Sequence, residues 1–167
     1  RIAHTDDAIL VHYKVKEASV RAVAAGDNGA VWEDACVEFF SIPAGDGIYY
    51  NVECNCAGIL LIGAGAGREN REHAPQEVMD KVQRWSSLGR QSFEERVGEC
   101  NWELALVLPY SAFFKHQITS LDGKTVRANF YKCGDKLQTP HFLSWNPIAL
   151  EKPNFHCPEF FGTLNFE

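Results

Sequence analysis

Two glutamates are the residues of this chain best suited to acid–base chemistry. Glu38 lies between apolar neighbours in the segment ACVEFFSI, and Glu53 belongs to the alternating segment IYYNVECNC. Glycoside hydrolases use two carboxyl groups that face each other across a cleft. If the two segments pair as neighbouring strands, the carboxyl groups could meet, so a saccharide hydrolase or lyase is one hypothesis. The alternative is an ion pair with a basic neighbour such as Arg127.

Motifs of other enzyme classes are missing from the sequence. It contains no GxSxG element, no recognisable Ser-His-Asp or Cys-His order and no P-loop. The run GAGAGR at residues 63–68 lacks the spacing and the context of a dinucleotide-binding loop. The sequence therefore favours a non-catalytic protein.

Metal binding is the next chemistry that the histidines and cysteines suggest. Zinc ligands usually come in closely spaced pairs, but Cys54 and Cys56 have strand spacing, and the adjacent His156 and Cys157 point apart. The six cysteines are therefore predicted to be reduced core residues rather than zinc ligands or a disulfide framework. Calcium needs only scattered oxygen ligands, which the segment AHTDD at residues 3–7 offers, although an ordinary turn also explains that segment.

Loop tryptophans indicate a third chemistry, the binding of sugars. Sugars present flat C–H faces that stack on tryptophan, and their hydroxyl groups need polar partners. Trp32 stands at the start of a predicted strand, and Trp145 lies in a loop that is held extended by Pro147. Trp102 alternates with leucines and is predicted to be a core residue, whereas Trp85 fits the packing face of a helix.

Hydrophobic alternation places most of these residues on β-strands. The segments predicted as strands are 8–17, 35–42, 48–62, 101–109, 125–133 and 161–167. Residues 75–89 have apolar side chains at helical spacing and predict a short surface helix. We therefore predict an all-β fold, a jelly-roll-like antiparallel β-sandwich with one or two short helices, forming a single domain over residues 1–167.

One face of the predicted strands is unusually polar. The residues on it are Glu38, Asn51, Glu53, Asn55, Arg127 and Asn129. Short, hydrogen-bonding side chains of this kind are better suited to binding ligand hydroxyl groups than to a face that only contacts solvent.

Composition and charge exclude several classes of partner. The 167 residues are 46% hydrophobic and 23% charged, with a net charge of −6 and no long basic run, so nucleic-acid binding is not expected. No apolar segment approaches the ~20 residues of a membrane span.

Several motifs together resemble one known group of proteins. VWEDACVEFF, WELALVLPYSAFF, RANFYKCGDKLQTPHFLSWNPI and PNFHCPEFFGTLNF are similar, in order, to the carbohydrate-binding module family 9-like group of DOMON-like β-sandwiches. The resemblance implies a non-catalytic module that binds sugars, in the better-known members at the reducing ends of plant polysaccharides. It also implies an association with glycoside hydrolases and the option of a structural calcium ion.

The resemblance further implies roles for individual residues. Trp32 and Trp145 would grip a sugar ring, and Glu38, six positions after Trp32, would hold its hydroxyl groups. Either Arg68 or Arg127 would supply an arginine. The side chains considered for further hydroxyl contacts are Asn55, His141 and Asn146.

A protein-interaction sandwich is the remaining alternative. It predicts an exposed apolar patch around Trp32 and Trp145 instead of a polar cleft. Binding of polysaccharides predicts an extracellular or periplasmic location, although six cysteines without obvious pairing fit a reducing compartment equally well. The sequence does not indicate an oligomeric state.

Overall fold

The computed structural model describes residues 1–167 as two antiparallel β-sheets packed face to face. The smaller sheet contains four strands, β1 (Ile2–His4), β2 (Ala8–Ala22), β7 (Gln83–Ser86) and β8 (Phe93–Pro109). The larger sheet contains seven, β3 (Cys36–Ile42), β4 (Tyr49–Asn55), β5 (Leu60–Gly65), β6 (Glu72–His73), β9 (Thr125–Cys133), β10 (Phe142–Ser144) and β11 (Gly162–Asn165). The prediction of an all-β sandwich is confirmed.

The strand orders explain how the two sheets are built. The smaller sheet runs β1-β2-β8-β7, and the larger runs β10-β9-β3-β4-β5-β6. Strands β10 and β11 both pair with β9, along its residues 131–133 and 125–128 respectively. Since β3 occupies the other edge of β9, these two short strands share one edge, and the chain between them crosses the outer face of the sheet.

Helical structure is limited to single turns. The α-helix α1 covers Gln76–Met79, and 3-10 turns cover Val31–Glu33, Tyr110–Ala112 and Pro158–Phe160. None of these helices has the length and apolar character needed to span a membrane.

The main core lies between the sheets and follows the period-2 pattern of the strands. As predicted, Trp102 and the alternating leucines of β8 point inward, and Trp102 is only 1% exposed. Val52 and Cys54 of β4 also join this core, while their neighbours Glu53 and Asn55 project from the opposite face. All six cysteines are free thiols.

The helix predicted over residues 75–89 is wrong beyond its first turn. The helix ends after Met79, and Gln83–Ser86 instead form β7, which pairs with residues 104–107 of β8. The expectation that Trp85 packs a helix face is wrong too, because its side chain is 55% exposed. Pairing with the free edge of the long strand β8 stabilises a strand here despite the helical spacing of the apolar residues, since tertiary contacts often override local propensity.

Asp34 connects the start of β3 to the neighbouring strands. It is completely buried, and its carboxylate accepts hydrogen bonds from the backbone N–H groups of Val23 and Ala24 at 3.0 Å each. The Asn55 side chain donates a further bond of 2.9 Å to the same carboxylate. Asn55 in turn accepts bonds from the N–H groups of Ala57 and Ile59 in the β4–β5 turn. Asp34 therefore fixes the turn that carries Trp32.

We expect Asp34→Ala to lower the free energy of unfolding by at least about 3 kcal/mol, because each buried donor that loses its partner costs about 1–3 kcal/mol. Urea unfolding followed by circular dichroism measures the change. Asp6→Ala removes an exposed carboxylate from the same chain and should leave the unfolding midpoint nearly unchanged. Equal midpoints for the two variants would contradict the structural role given to Asp34.

Candidate functional site

The outer face of the larger sheet forms the floor of a cleft. Glu38 of β3 and Glu53 of β4 lie directly opposite each other in the strand register, and Asn51 stands two residues from Glu53 on the same face. Glu38 is 3% exposed and Glu53 is 4% exposed. The sequence therefore predicted the polar face correctly, but this face is buried beneath other parts of the chain.

The cleft above this floor has a volume of about 420 Å³. Trp32 and Phe142 contribute to its walls, as does the loop that carries Arg68 and Arg71. Residues 153–156 of the segment between β10 and β11 also line it. Only five of its fifteen lining residues are hydrophobic, so it is a polar cleft with aromatic walls. We call this space the outer cleft.

Arg71 organises the polar side chains of the outer cleft. Its Nε donates a hydrogen bond of 2.9 Å to Oδ1 of Asn51, and its Nη2 donates one of 2.9 Å to the carbonyl oxygen of Tyr49. The guanidinium also lies 3.9 Å from the centre of the Tyr49 ring, a cation–π distance. Asn51 connects Arg71 to Glu53, since its Nδ2 donates a hydrogen bond of 2.8 Å to Oε1 of Glu53.

One oxygen of this network has no partner. Oε2 of Glu53 is buried and makes no hydrogen bond, although Glu53 lines the outer cleft. A buried polar atom without a partner is costly, so this oxygen is available to a water molecule, an ion or a ligand. This atom marks the floor of the cleft as the candidate site.

Burial changes the acidity of both floor carboxyl groups. Desolvation raises the pKa of Glu53 to about 7, against the opposing effects of the Asn51 hydrogen bond and the Arg71 charge. Desolvation likewise raises the pKa of Glu38, and the neighbouring Cys133 and Glu53 raise it further. The Cys133 thiol donates a hydrogen bond of 3.0 Å to Oε1 of Glu38. Burial therefore favours the protonated form of both floor carboxyl groups.

Arg71 was missed in the sequence, which suggested Arg68 or Arg127 as the arginine of the site. Arg68 does line the outer cleft, as an exposed side chain. Arg71 lies over the glycine-rich strand β5, where a Cβ atom at Gly63 would stand only 2.5 Å from Oδ1 of Asn51. The repeated glycines of GAGAG were the available signal, because they leave room for a side chain to lie across the strand.

Arg127, Asn55 and Asn146 support the fold rather than line the outer cleft. The Arg127 guanidinium donates to the carbonyl oxygen of Phe161 at 2.6 and 3.0 Å. Asn146 donates to the carbonyl oxygen of Phe160 at 2.7 Å. Asn55 is fully buried in the Asp34 network described above. All three are occupied by contacts within the chain, because a buried face leaves few polar groups free.

Trp145 and His141 line a second cavity of about 600 Å³, which opens between β2 and the β9–β10 edge. The Trp145 ring packs edge to face against Phe130 at 5.8 Å, and Phe130 packs against the core between the sheets. His141 lies 2.8 Å from Nζ of Lys132, which pairs with Glu17 at 2.9 Å. The structure therefore does not bring Trp145 together with Trp32, which lies on the outer face.

The two carboxyl groups are arranged differently from those of a glycoside hydrolase. They rise side by side from neighbouring strands and reach a ligand from the same side, whereas hydrolases place them on either side of the scissile bond. The structure also does not join Trp32 and Trp145 in one apolar patch, as a protein-interaction sandwich would need, since the two side chains line separate cavities and the cleft around Trp32 is mainly polar.

Comparisons with known proteins agree with the fold. A family model described as carbohydrate-binding family 9 matches residues 1–166. A crystal structure of a candidate carbohydrate-binding protein from Bacteroides uniformis ATCC 8492 is 71% identical, with a TM-score of 0.98, and the match covers 100% of this chain and 77% of that one. A family 9 carbohydrate-binding module from Caldicellulosiruptor kristjanssonii, solved in complex with glucose, has 10% identity and a TM-score of 0.60. That match covers 100% of this chain and 74% of the other, and it shows a shared fold. No curated protein matches the chain.

His156 gives the cleft wall a pH dependence. Burial, followed by the charges of Arg71 and Arg68, lowers the pKa of His156 to about 4. Its Nδ1 lies 2.7 Å from the Tyr49 hydroxyl, which donates to the neutral ring. Between pH 6.5 and 4 the unfolded chain binds a proton at this position that the folded chain does not, so the contribution of His156 to stability is lost as the pH falls.

We therefore expect His156→Gln to lose less stability than the wild type when the pH is lowered from about 7 to about 4.5. Urea unfolding at both pH values measures the two differences, and comparing them cancels the other groups that titrate in this range. His73→Gln, at an exposed position of β6, serves as the control. A pH dependence that stays the same in His156→Gln would show that burial does not keep this ring neutral.

Proposed function

The chain belongs to carbohydrate-binding family 9, a family of non-catalytic modules, and from this premise we propose that it binds a mono- or oligosaccharide in the outer cleft. The observation that supports this most directly is the pairing of an exposed indole with a buried, partnerless carboxylate oxygen. Trp32 is 39% exposed on the wall, and Oε2 of Glu53 is free on the floor. A sugar needs both features, a flat apolar surface for its ring and acceptors for its hydroxyl groups.

The proposed roles follow from the position of each side chain. The Trp32 ring stacks on the sugar, and its backbone is fixed because its carbonyl oxygen accepts a hydrogen bond of 3.1 Å from the N–H of Asp135. Glu38 and Glu53 accept hydroxyl hydrogen bonds from below. Arg71 keeps Glu53 oriented through Asn51, and Arg68 donates to hydroxyl groups from the exposed rim.

The size of the outer cleft suits a short ligand. Its volume of about 420 Å³ lies at the small end of the range of about 300–1,000 Å³ found for small-molecule sites. The opposite wall is aromatic as well, because Phe155 lines the cleft and is held by stacking on Tyr131 at 4.1 Å with the rings nearly parallel. We therefore propose that the site takes a terminal sugar unit or a short oligosaccharide.

Trp32→Ala should weaken saccharide binding about 30-fold, because loss of the stacking surface costs about 2 kcal/mol. Isothermal titration with a panel of mono- and disaccharides, beginning with glucose, measures the affinities. Trp145→Ala is the matched control and should bind as the wild type does, since Trp145 lines the other cavity.

The outcomes of this comparison separate the possible locations of the site. If Trp145→Ala abolishes binding while Trp32→Ala retains it, the sugar lies in the second cavity. If no saccharide of the panel binds the wild type, the proposed function is wrong for these ligands.

Glu53→Gln should lower the affinity about tenfold, because the amide keeps the size and the Asn51 contact but replaces the free acceptor with a donor. The exposed Glu77→Gln on α1 is the control and should have no effect. Isothermal titration with the tightest saccharide of the panel gives both values. Unchanged affinity in Glu53→Gln would remove Glu53 from the set of binding residues.

A further inference from the structure

Two cysteines and a glutamate converge beside the outer cleft, which Glu38 and Cys133 line. The register of β3 and β9 places Cys36 directly opposite Cys133, and Glu38 follows Cys36 two residues later on the same face. The Sγ atoms of both cysteines and a carboxylate oxygen of Glu38 all lie within 4.8 Å of one another. All three residues are buried, with at most 3% of their surface exposed. Cys133 is distant in sequence from Cys36 and Glu38, so the spacing along the chain did not reveal the group.

This donor set has the chemistry of a zinc site. Two thiols with a carboxylate suit a borderline-soft ion such as Zn²⁺, whereas Ca²⁺ and Mg²⁺ prefer oxygen ligands alone. In a tetrahedral zinc site with Zn–S bonds of about 2.3 Å and Zn–O bonds of about 2.0 Å, the donors stand about 3.3–3.8 Å apart. The contact of 3.0 Å between Cys133 Sγ and Glu38 Oε1 is slightly shorter than these distances, and all three donors lie within 4.8 Å of one another, so modest side-chain movements bring them to the separations that zinc requires.

The free carboxylate oxygen of Glu53 is a second, independent indication of a cation. Glu53 lies opposite Glu38 in the strand register and is only 4% exposed. Its Oε2 atom makes no hydrogen bond. Neither Glu38 nor Glu53 forms a salt bridge in the structure. The nearby Arg71 uses its N–H groups on Asn51 and on backbone carbonyl oxygens. Arg71 therefore acts on Glu53 only through its charge and makes no direct contact with either carboxyl group.

We propose that Cys36, Cys133 and Glu38 bind one Zn²⁺ ion beside the floor of the outer cleft, with the fourth coordination position open to water or to a ligand oxygen. Binding displaces the protons of the two thiols and of the Glu38 carboxyl group to solvent. The ion would link β3 to β9 close to the turn that carries Trp32. This site shares Glu38 with the proposed sugar contacts.

Titration with metal tests the site on the whole chain, reduced and stripped with a chelator. We expect one Zn²⁺ to bind per chain in competition with a chromophoric chelator, and Co²⁺ in its place to give a thiolate-to-metal charge-transfer band. Cys133→Ser should abolish the band and weaken Zn²⁺ binding by at least about 100-fold. Cys133→Ala is the second variant, in case the buried hydroxyl impairs folding, and should have the same effect.

Two further variants make the test specific. Cys100→Ser changes a cysteine of β8, outside the cleft, and should leave both the band and the affinity unchanged. Glu38→Gln should keep the thiolate band but weaken the affinity. Absence of stoichiometric Zn²⁺ binding, or a band that survives in both Cys133 variants, would overturn the proposal.

Saccharide binding by the metal-free chain, measured separately, distinguishes the two proposals. A chain that binds sugar but no zinc contradicts only the metal site. A chain that binds zinc but none of the saccharides contradicts only the proposed function.

Discussion

The larger sheet of this protein is buried on both faces, and the rest of the structure depends on this constraint. One face packs against the smaller sheet with apolar side chains. The other carries amides, carboxylates and arginine, and it is covered by the chain between β10 and β11. Because buried polar groups need partners, the polar residues of this face are connected to each other and to the chain that covers them.

The few polar groups of this face that have no partner within the chain therefore indicate where a ligand could bind. Asp34 satisfies four donor contacts with three residues, and Arg71 satisfies carbonyl groups on several strands. Among the polar groups that line the outer cleft, Oε2 of Glu53 is the buried atom without a partner, and the thiols of Cys36 and Cys133 lie close together beside the cleft. Trp32, Glu53 and Cys133 line the same cleft, so a stacking surface, an acceptor and a soft donor are present in one space.

The sequence predicted the properties that follow from period-2 alternation. The sandwich, the inward leucines of β8 and the polar face with Glu38 and Glu53 were all visible, because strand side chains alternate regardless of what covers them. The separation of Trp145 from Trp32 and the choice of Arg71 among the arginines were not visible, because both depend on the paths of loops in space. Alternation also cannot show that Cys36 meets Cys133, since the register between distant strands is set only in the folded chain.

The shared edge of β9 has a consequence for the energetics of the cleft wall. The segment that contributes Phe155 and His156 is tethered to a single strand at both ends, by β10 at one end and β11 at the other. Arg127 and Asn146 fasten it again at intermediate points. Because this segment is anchored at both ends, it loses little conformational entropy when a ligand binds. The favourable free energy of the ligand contacts is therefore not reduced by the cost of ordering a mobile loop.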